Sequence, residues 1–493
     1  MGIWAYRFRR TTLLLWFCFA VICGLAASYF GYSLQPYWFY LTLGVCAACA
    51  GRYRLVGLVG VVVIGLALSG VRGDRLTNSL AGYNARIDTN STLRAFANED
   101  AVYGKNGQLS FVAVSITDLD SGEKLPGQIG VSGMGLNGIY QDDELIISGK
   151  LREGIGSYQG FMSYAKLELV QNHPSLIANV RRKFGAGMLS ALPEPVASFS
   201  MGLLIGQRAT LPEDIKDSLK KVGLTHIIAV SGANLTIMLE ASRKIIGKRS
   251  KRLSVQLSLG LMLVFVLMTG GSASIVRAAF VSTLSVMAAY YGRRTRPLLI
   301  ISMVAAMTAY INPLYLWGDA SWYLSFLAFF GVLMVSPLLQ NRLPRMFQTN
   351  IILAIALESL CAEIMSVPYI LFTFGEMSFV GLIANVLVVS MIPYAMLLGL
   401  IAGLAGMVYL PLSGWFAWPA KYILTYMLDT ARVLADQPHV FVDAIWLKLP
   451  GLILLYSTIA VMVWLLSFKD RNKSAIITDN EAINPYKNLG RMS

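Results

Sequence analysis

Charge is scarce in this chain. Asp, Glu, Lys and Arg make up 14% of its 493 residues, while 56% are hydrophobic. A soluble globular domain carries about 25% charged residues, so the composition excludes one, and the mean hydropathy of +0.59 predicts a polytopic α-helical membrane protein. Cysteine is sparse and poorly placed for bridging. All five (Cys18, Cys23, Cys46, Cys49 and Cys361) lie in apolar segments, which leaves no disulfide framework and no metal-ligand cluster; neither metal nor cofactor is expected. A phosphate-binding loop is missing, because Gly247-Lys-Arg-Ser250 lacks the upstream glycine spacing. A cleaved leader is not expected either, since the apolar run Thr12 to Phe30 is followed at once by two more. The net charge of +14 is accounted for by Lys and Arg retained on the cytoplasmic side of a membrane, before any nucleic acid is invoked.

What is present is organised in blocks. Residues 1–70 hold apolar runs at about Thr12 to Phe30, Tyr37 to Ala50 and Leu55 to Ser69, each near the ~20 residues of a spanning helix. Arg7, Arg9 and Arg10 precede the first run, and Arg52 and Arg54 separate the second from the third. The positive-inside rule keeps both clusters cytoplasmic and sends residues 71–173 to the external face. That region alternates apolar and polar residues in Leu109–Ile116, Glu144–Lys150 and Tyr164–Val170, with Gly-rich turns between. It reads as a small external β-barrel. Its nine Lys/Arg against twelve Asp/Glu argue against a strongly basic face. Tyr83, Tyr103, Tyr140, Tyr158, Phe161 and Tyr164 are each either stacking surfaces for bases or barrel core, and core is favoured.

Residues 174–221 read as amphipathic external helices, with starts at Leu192-Pro-Glu-Pro195 and Leu211-Pro-Glu-Asp214. Ser200 to Arg208 is too short to span and is expected on the membrane surface or over a pore mouth. Residues 222–468 form a second membrane block. Its expected spans are Val222–Leu239, Leu253–Gly270, Ser274–Tyr291, Pro297–Ile311, Ser321–Leu339, Asn350–Phe374, a pair within Phe379–Leu410 that breaks near Pro393, and Leu449–Phe468. With Trp415–Ala435 interfacial, the cationic clusters alternate correctly for about twelve crossings with both termini inside. Residues 469–493 are polar and read as a disordered cytoplasmic tail.

Polar residues inside the apolar segments point to chemistry. The stretch from Gly223 to Met238 opens a segment of spanning length yet contains His226, Ser231 and Asn234. Polar groups at membrane depth are costly unless they meet partners or a wet path, so this segment is expected to line a route for polar matter. Arg277 lies in Gly270-Gly-Ser-Ala-Ser274-Ile-Val-Arg277-Ala-Ala279. It either pairs with Asp319 or Glu376, snorkels to the interface, or meets phosphate, which its planar fork suits. Asn312-Pro313 precedes Asp319-Ala-Ser-Trp-Tyr-Leu-Ser-Phe-Leu-Ala328, where Asp319 can cap a helix and Ser321 and Ser325 share a helical face. Glu363-Ile-Met-Ser-Val-Pro368, Phe374-Gly375 and Gly381-Leu-Ile-Ala-Asn385 follow. Glu363 is expected to pair with Arg277 or His226, or to serve a proton path.

Gly223, His226, Ala229, Ser231 and Gly232 resemble the core signature of the ComEC-type competence proteins, with Asn234 standing where that signature carries a second His. The Arg277, Asp319 and Glu363-to-Asn385 elements resemble the same family in order and spacing, with Glu363 where Gln is usual. The resemblance implies an OB-like form for the external domain. It further implies a channel in the inner (cytoplasmic) membrane that imports single-stranded DNA during natural transformation. The strand's path would be bordered by His226, Ser231, Gly232, Asn234, Ser274, Arg277, Asp319, Ser321, Ser325, Glu363 and Asn385. Partners would be single-stranded DNA, membrane lipid, an external DNA receptor and a cytoplasmic translocase or single-strand-binding protein. Many members continue into a metallo-β-lactamase-like domain. The three His here cannot make a His-x-His-x-Asp-His pattern, so no nuclease and no enzyme is expected. A second reading is a proton-coupled secondary transporter using His226, Glu358 and Glu363. A third, a hydrolase with Ser231 and His226 as nucleophile and base, is disfavoured because five residues along one helix is about 140° of azimuth.

Overall fold

The computed structural model describes residues 8–483 apart from 33–34, 52–54, 104–107, 137, 172–175, 208–209, 229–231, 233, 236–238, 240–250, 294–295, 345–349 and 409. The alternating segments become strands β1 (Asn90–Ala97), β2 (Val102–Tyr103), β3 (Leu109–Asp118), β4 (Lys124–Met134), β5 (Glu144–Glu153) and β6 (Gly160–Gln171). They run in the order β1-β5-β6-β4-β3, and β1 pairs again with β3 to close the sheet, with short β2 on the β3 edge. All pairings are antiparallel except β4 with β6. This is the strand order of an OB-like barrel. Ser115 and Tyr164, both at positive φ (54° and 55°), fall where the β3–β4 and β4–β6 registers shift. Such bulges add the bend that closure needs. Leu93, Phe111, Ile129, Val131, Leu145, Ile147, Leu151 and Met162 fill the interior.

The helix Leu55–Asn84 carries the barrel. It runs on past Ser69, where the sequence suggested its end, because a stripe of Gly70, Gly73, Leu76 and Tyr83 stays buried along it. Tyr83 plugs the barrel and donates to the Pro126 carbonyl. Just beyond, Arg86 bridges Asp118 and Glu123 at 3.0 and 2.7 Å. Lower on the same helix, a Cβ on Gly65 would meet Ala20 of Arg10–Tyr29 at 2.8 Å, and one on Gly60 would meet the Tyr37–Gly51 backbone at 2.4 Å. Small residues thus let these three helices touch backbone to backbone.

The remaining helices build a bundle, so the chain is a polytopic helical membrane protein with a small barrel. Six helices among the described residues are long and apolar enough to cross a membrane: Arg10–Tyr29, Leu55–Asn84, Ala273–Tyr290, Ala320–Gln340, Leu353–Thr373 and Leu449–Ser467. The pair Gly381–Val389 and Ile392–Val408, bent by 46° just before Pro393, makes up to seven. About twelve were expected. Tyr37–Cys49, Arg252–Met268 and Pro297–Ile311 are shorter apolar helices. Val222–Leu239 is described only in part, with Thr225–Ile228 helical. The last helix continues to Ile483 where an irregular tail was expected, extending a span already nucleated.

Val196–Ile205 corrects the surface placement. All ten of its residues are buried, among the helices Leu176–Ala191, Ile392–Val408 and Leu410–Ala435. A helix that is apolar all round belongs inside protein or lipid rather than at an interface.

Candidate functional site

Arg277 is the largest wholly buried side chain of the described residues, at 1% exposure. Ser272 starts its helix, Ala273–Tyr290, and Ser274, one turn before the arginine, is half-buried. Across from it, Asp319 caps Ala320–Phe330 by accepting the Ser321 N–H at 2.9 Å. The capped first turns then present Ser321 and Ser325 on one face, as their spacing predicts. Nη2 of Arg277 donates to the Ser321 carbonyl (3.0 Å), the Ser321 hydroxyl (2.9 Å) and the Ser325 hydroxyl (2.9 Å). Its Nε and Nη1 have no hydrogen-bond partner among the described residues. Neither expected carboxylate pairs with it. Asp319 is engaged by its helix N-terminus, and Glu376 meets Lys220 at 2.7 Å. Burial pushes the Asp319 carboxyl above the ordinary range, while the capped N–H groups and the Arg277 charge hold it down.

The barrel reaches this centre. The Asn312 side chain accepts the Leu314 N–H at 3.2 Å and donates to the Ser157 carbonyl of the β5–β6 loop at 3.3 Å. The Gly156 and Gly318 backbones approach so closely that a Cβ on Gly318 would lie 3.5 Å from the Gly156 oxygen. Tyr158 of the same loop is pushed up to about 12, first by burial and then by Glu99 and Asp319. Arg72 of the stalk helix donates to the Tyr310 and Ile311 carbonyls at 2.9 and 2.6 Å, holding the helix end that precedes Asn312. Asn312 and Ser157 were not among the expected path residues, and Tyr158 was expected as barrel core or a stacking surface. The Asn-Pro pair was the available signal, since an Asn before a Pro-started turn caps it and has an amide to spare.

A second polar centre lies on Leu353–Thr373. Asn385 donates to Glu363 at 2.9 Å, in place of the expected Arg277 or His226. A Cβ on Gly381 would lie 3.3 Å from that carboxylate, and one on Gly223 would lie 3.5 Å from the Gly381 backbone. The spacing Gly381-x-x-x-Asn385 therefore admits Glu363 at one turn and bonds it at the next. Stacking of Tyr323 on Tyr369 (5.2 Å, 29°) joins the helices of the two centres.

The segment first singled out divides. His226 is exposed, with Nδ1 3.1 Å from the Gly223 carbonyl oxygen. Asn234 is 0% exposed and donates to the Leu203 carbonyl at 3.3 Å. The two do not share one open face as expected, because Asn234 serves the buried Val196–Ile205 helix. Gly232 packs on the Arg277 helix, where its Cβ would meet Ala278 at 2.8 Å. Ser231 lies outside the described residues. His226 and Glu363 bond elsewhere, to the Gly223 carbonyl and to Asn385.

The family model described as Competence protein matches residues 203–469. This chain belongs to the competence-protein family. ComE operon protein 3 of Bacillus subtilis (strain 168) is 24% identical over 316 residues, which is 62% of this chain and 39% of that protein; the chain thus spans well under half the length of the relative. No solved structure matches. The region shared with the competence family contains both polar centres and begins inside the buried Val196–Ile205 helix, whereas the barrel lies outside the family match.

Proposed function

We propose that this competence-family protein takes part in DNA uptake as an inner-membrane conduit for single-stranded DNA, entering beneath the barrel and passing Arg277. Family membership supports the uptake role. The observation that carries the strand reading is the Arg277 guanidinium, buried and held by serine and carbonyl oxygens on one nitrogen only. A buried cation bonded only to neutral groups is costly unless an anion completes it, and a guanidinium fork matches phosphate. Weak polar contacts around it (Ser321, Ser325) suit conduction better than one tight site. In this proposal the barrel faces outward, following the cationic ends at Arg52, Arg54 and Arg243 to Arg252, an external receptor delivers the strand, and a cytoplasmic translocase or single-strand-binding protein draws it in. The chain conducts DNA and does not cut it.

The test is uptake of labelled DNA by cells carrying Arg277→Gln, with membrane levels checked. One charge-assisted contact is worth about 1.5–3 kcal/mol, roughly a 10- to 100-fold loss. The Arg277→Gln, Asp319→Asn double variant should not restore uptake. Restoration would make Arg277 a structural partner of Asp319 and overturn the reading.

A further inference from the structure

A cavity of about 560 Å³ opens between four helices, lined by Ile301, Trp322, Phe326, Met365, Tyr456 and Ala460 among others. It takes no part in the route past Arg277. Three of its aromatic residues have polar tips that bond elsewhere. Trp322 Nε1 donates to the Thr308 hydroxyl at 3.1 Å, Tyr323 to the Leu316 carbonyl at 2.5 Å, and Tyr456 to the Met365 carbonyl at 2.9 Å. Ring faces and aliphatic carbon make up most of what faces the space. Water needs two to four polar partners to stay in such a site, and a nucleotide needs more. The cavity runs from Tyr456 to Trp464 on the last helix and from Trp322 to Phe330 on its neighbour, in each case about 12 Å at the helical rise. That is the shape of a slot for an alkyl chain.

One end of the slot is cationic. Arg342, which follows the helix carrying Phe330, donates to the Leu466 carbonyl two residues beyond Trp464. We propose that this is a binding site for one anionic phospholipid, with an acyl chain in the slot and its phosphate at Arg342. Basic residues between membrane helices recognise such headgroups.

Full-length protein, stripped of lipid in a mild detergent, is titrated with phosphatidylglycerol and separately with phosphatidylcholine, and bound lipid is counted by native mass spectrometry. One saturable site is expected, with phosphatidylglycerol preferred about fivefold. Arg342→Gln should abolish the preference but not the site. Ala460→Phe fills the slot and should weaken both lipids at least roughly tenfold. Val461→Phe adds the same bulk on the 56% exposed neighbouring position and should change nothing. If Ala460→Phe does not fold, Ala460→Val is read the same way. Absence of saturable binding, or equal binding by the Ala460 and Val461 variants, overturns the proposal.

Discussion

In the barrel, Arg86 meets Asp118 and Glu123, Arg94 meets Glu144, Lys150 meets Asp88, and Lys166 meets Glu168. In the bundle, Arg277 has no carboxylate partner and two unmet guanidinium nitrogens among the described residues. The barrel pairs its cations with acids, and an exposed pair such as Lys166–Glu168 is worth about 0–1 kcal/mol. In the bundle, Arg277 is dry and bonds only neutral oxygens, with Asp319 acting on it by charge alone, and an anionic visitor would complete its fork. On the proposed function, recognition of a phosphodiester belongs to the bundle, and the barrel positions the entrance. That division accounts for an OB-like barrel whose acids outnumber its bases.

The comparison breaks most sharply at Arg277. Arg277→Gln should lower DNA uptake by roughly 10- to 100-fold, whereas Lys166→Gln, which removes the exposed barrel pair with Glu168, should change it by less than about threefold. Equal effects would erase the distinction. Next in size is Asn385→Leu, which leaves the Glu363 carboxylate buried beside Gly381 without its donor. It should cost about 1–3 kcal/mol, read as a lower unfolding temperature of the purified protein. Asn312→Ala removes both the cap of Leu314 and the bond to Ser157, at about 0.5–2 kcal/mol. It should speed hydrogen exchange in the β5–β6 loop while the barrel strands keep their protection. The smallest effect is expected for Tyr164→Ala. This ring stands on a bulge at 73% exposure, and if bases stacked there its loss would cost about 1–3 kcal/mol of strand binding. Unchanged uptake is predicted, and a clear loss would return recognition to the barrel.

Much of this architecture is written locally. Alternation marks β3, β5 and β6, the Asp319 cap follows from its place before an apolar helix, and the shared face of Ser321 and Ser325 follows from their spacing. The partner of Arg277 was not legible, because a spacing tells which residues share a helix face but not which helix lies opposite. The same ignorance hid the burial of Val196–Ile205. A ten-residue apolar stretch looks alike whether lipid or protein surrounds it, and only the packing of Ser200 against Gly399 reveals protein. Asn234 misled for a related reason: a polar group in an apolar segment can line water or bond one buried carbonyl, and here it bonds Leu203. The extension of the stalk helix to Asn84 went unseen because its polar face resembles a loop, while its buried stripe is made of glycines with one Leu and one Tyr.

The most direct measurement concerns Ser325, whose hydroxyl holds Arg277 and which is only half-buried. Ser325→Cys is close to isosteric, and the two bonds from Arg277 to Ser321 remain to hold the guanidinium. In cells with a single strand stalled during import, this thiol should be protected from a small membrane-impermeant reagent that modifies it when no DNA is present. Equal labelling with and without the stalled strand, alongside protection of a Cys at Tyr164, would contradict a path past Arg277 and place the strand on the barrel instead.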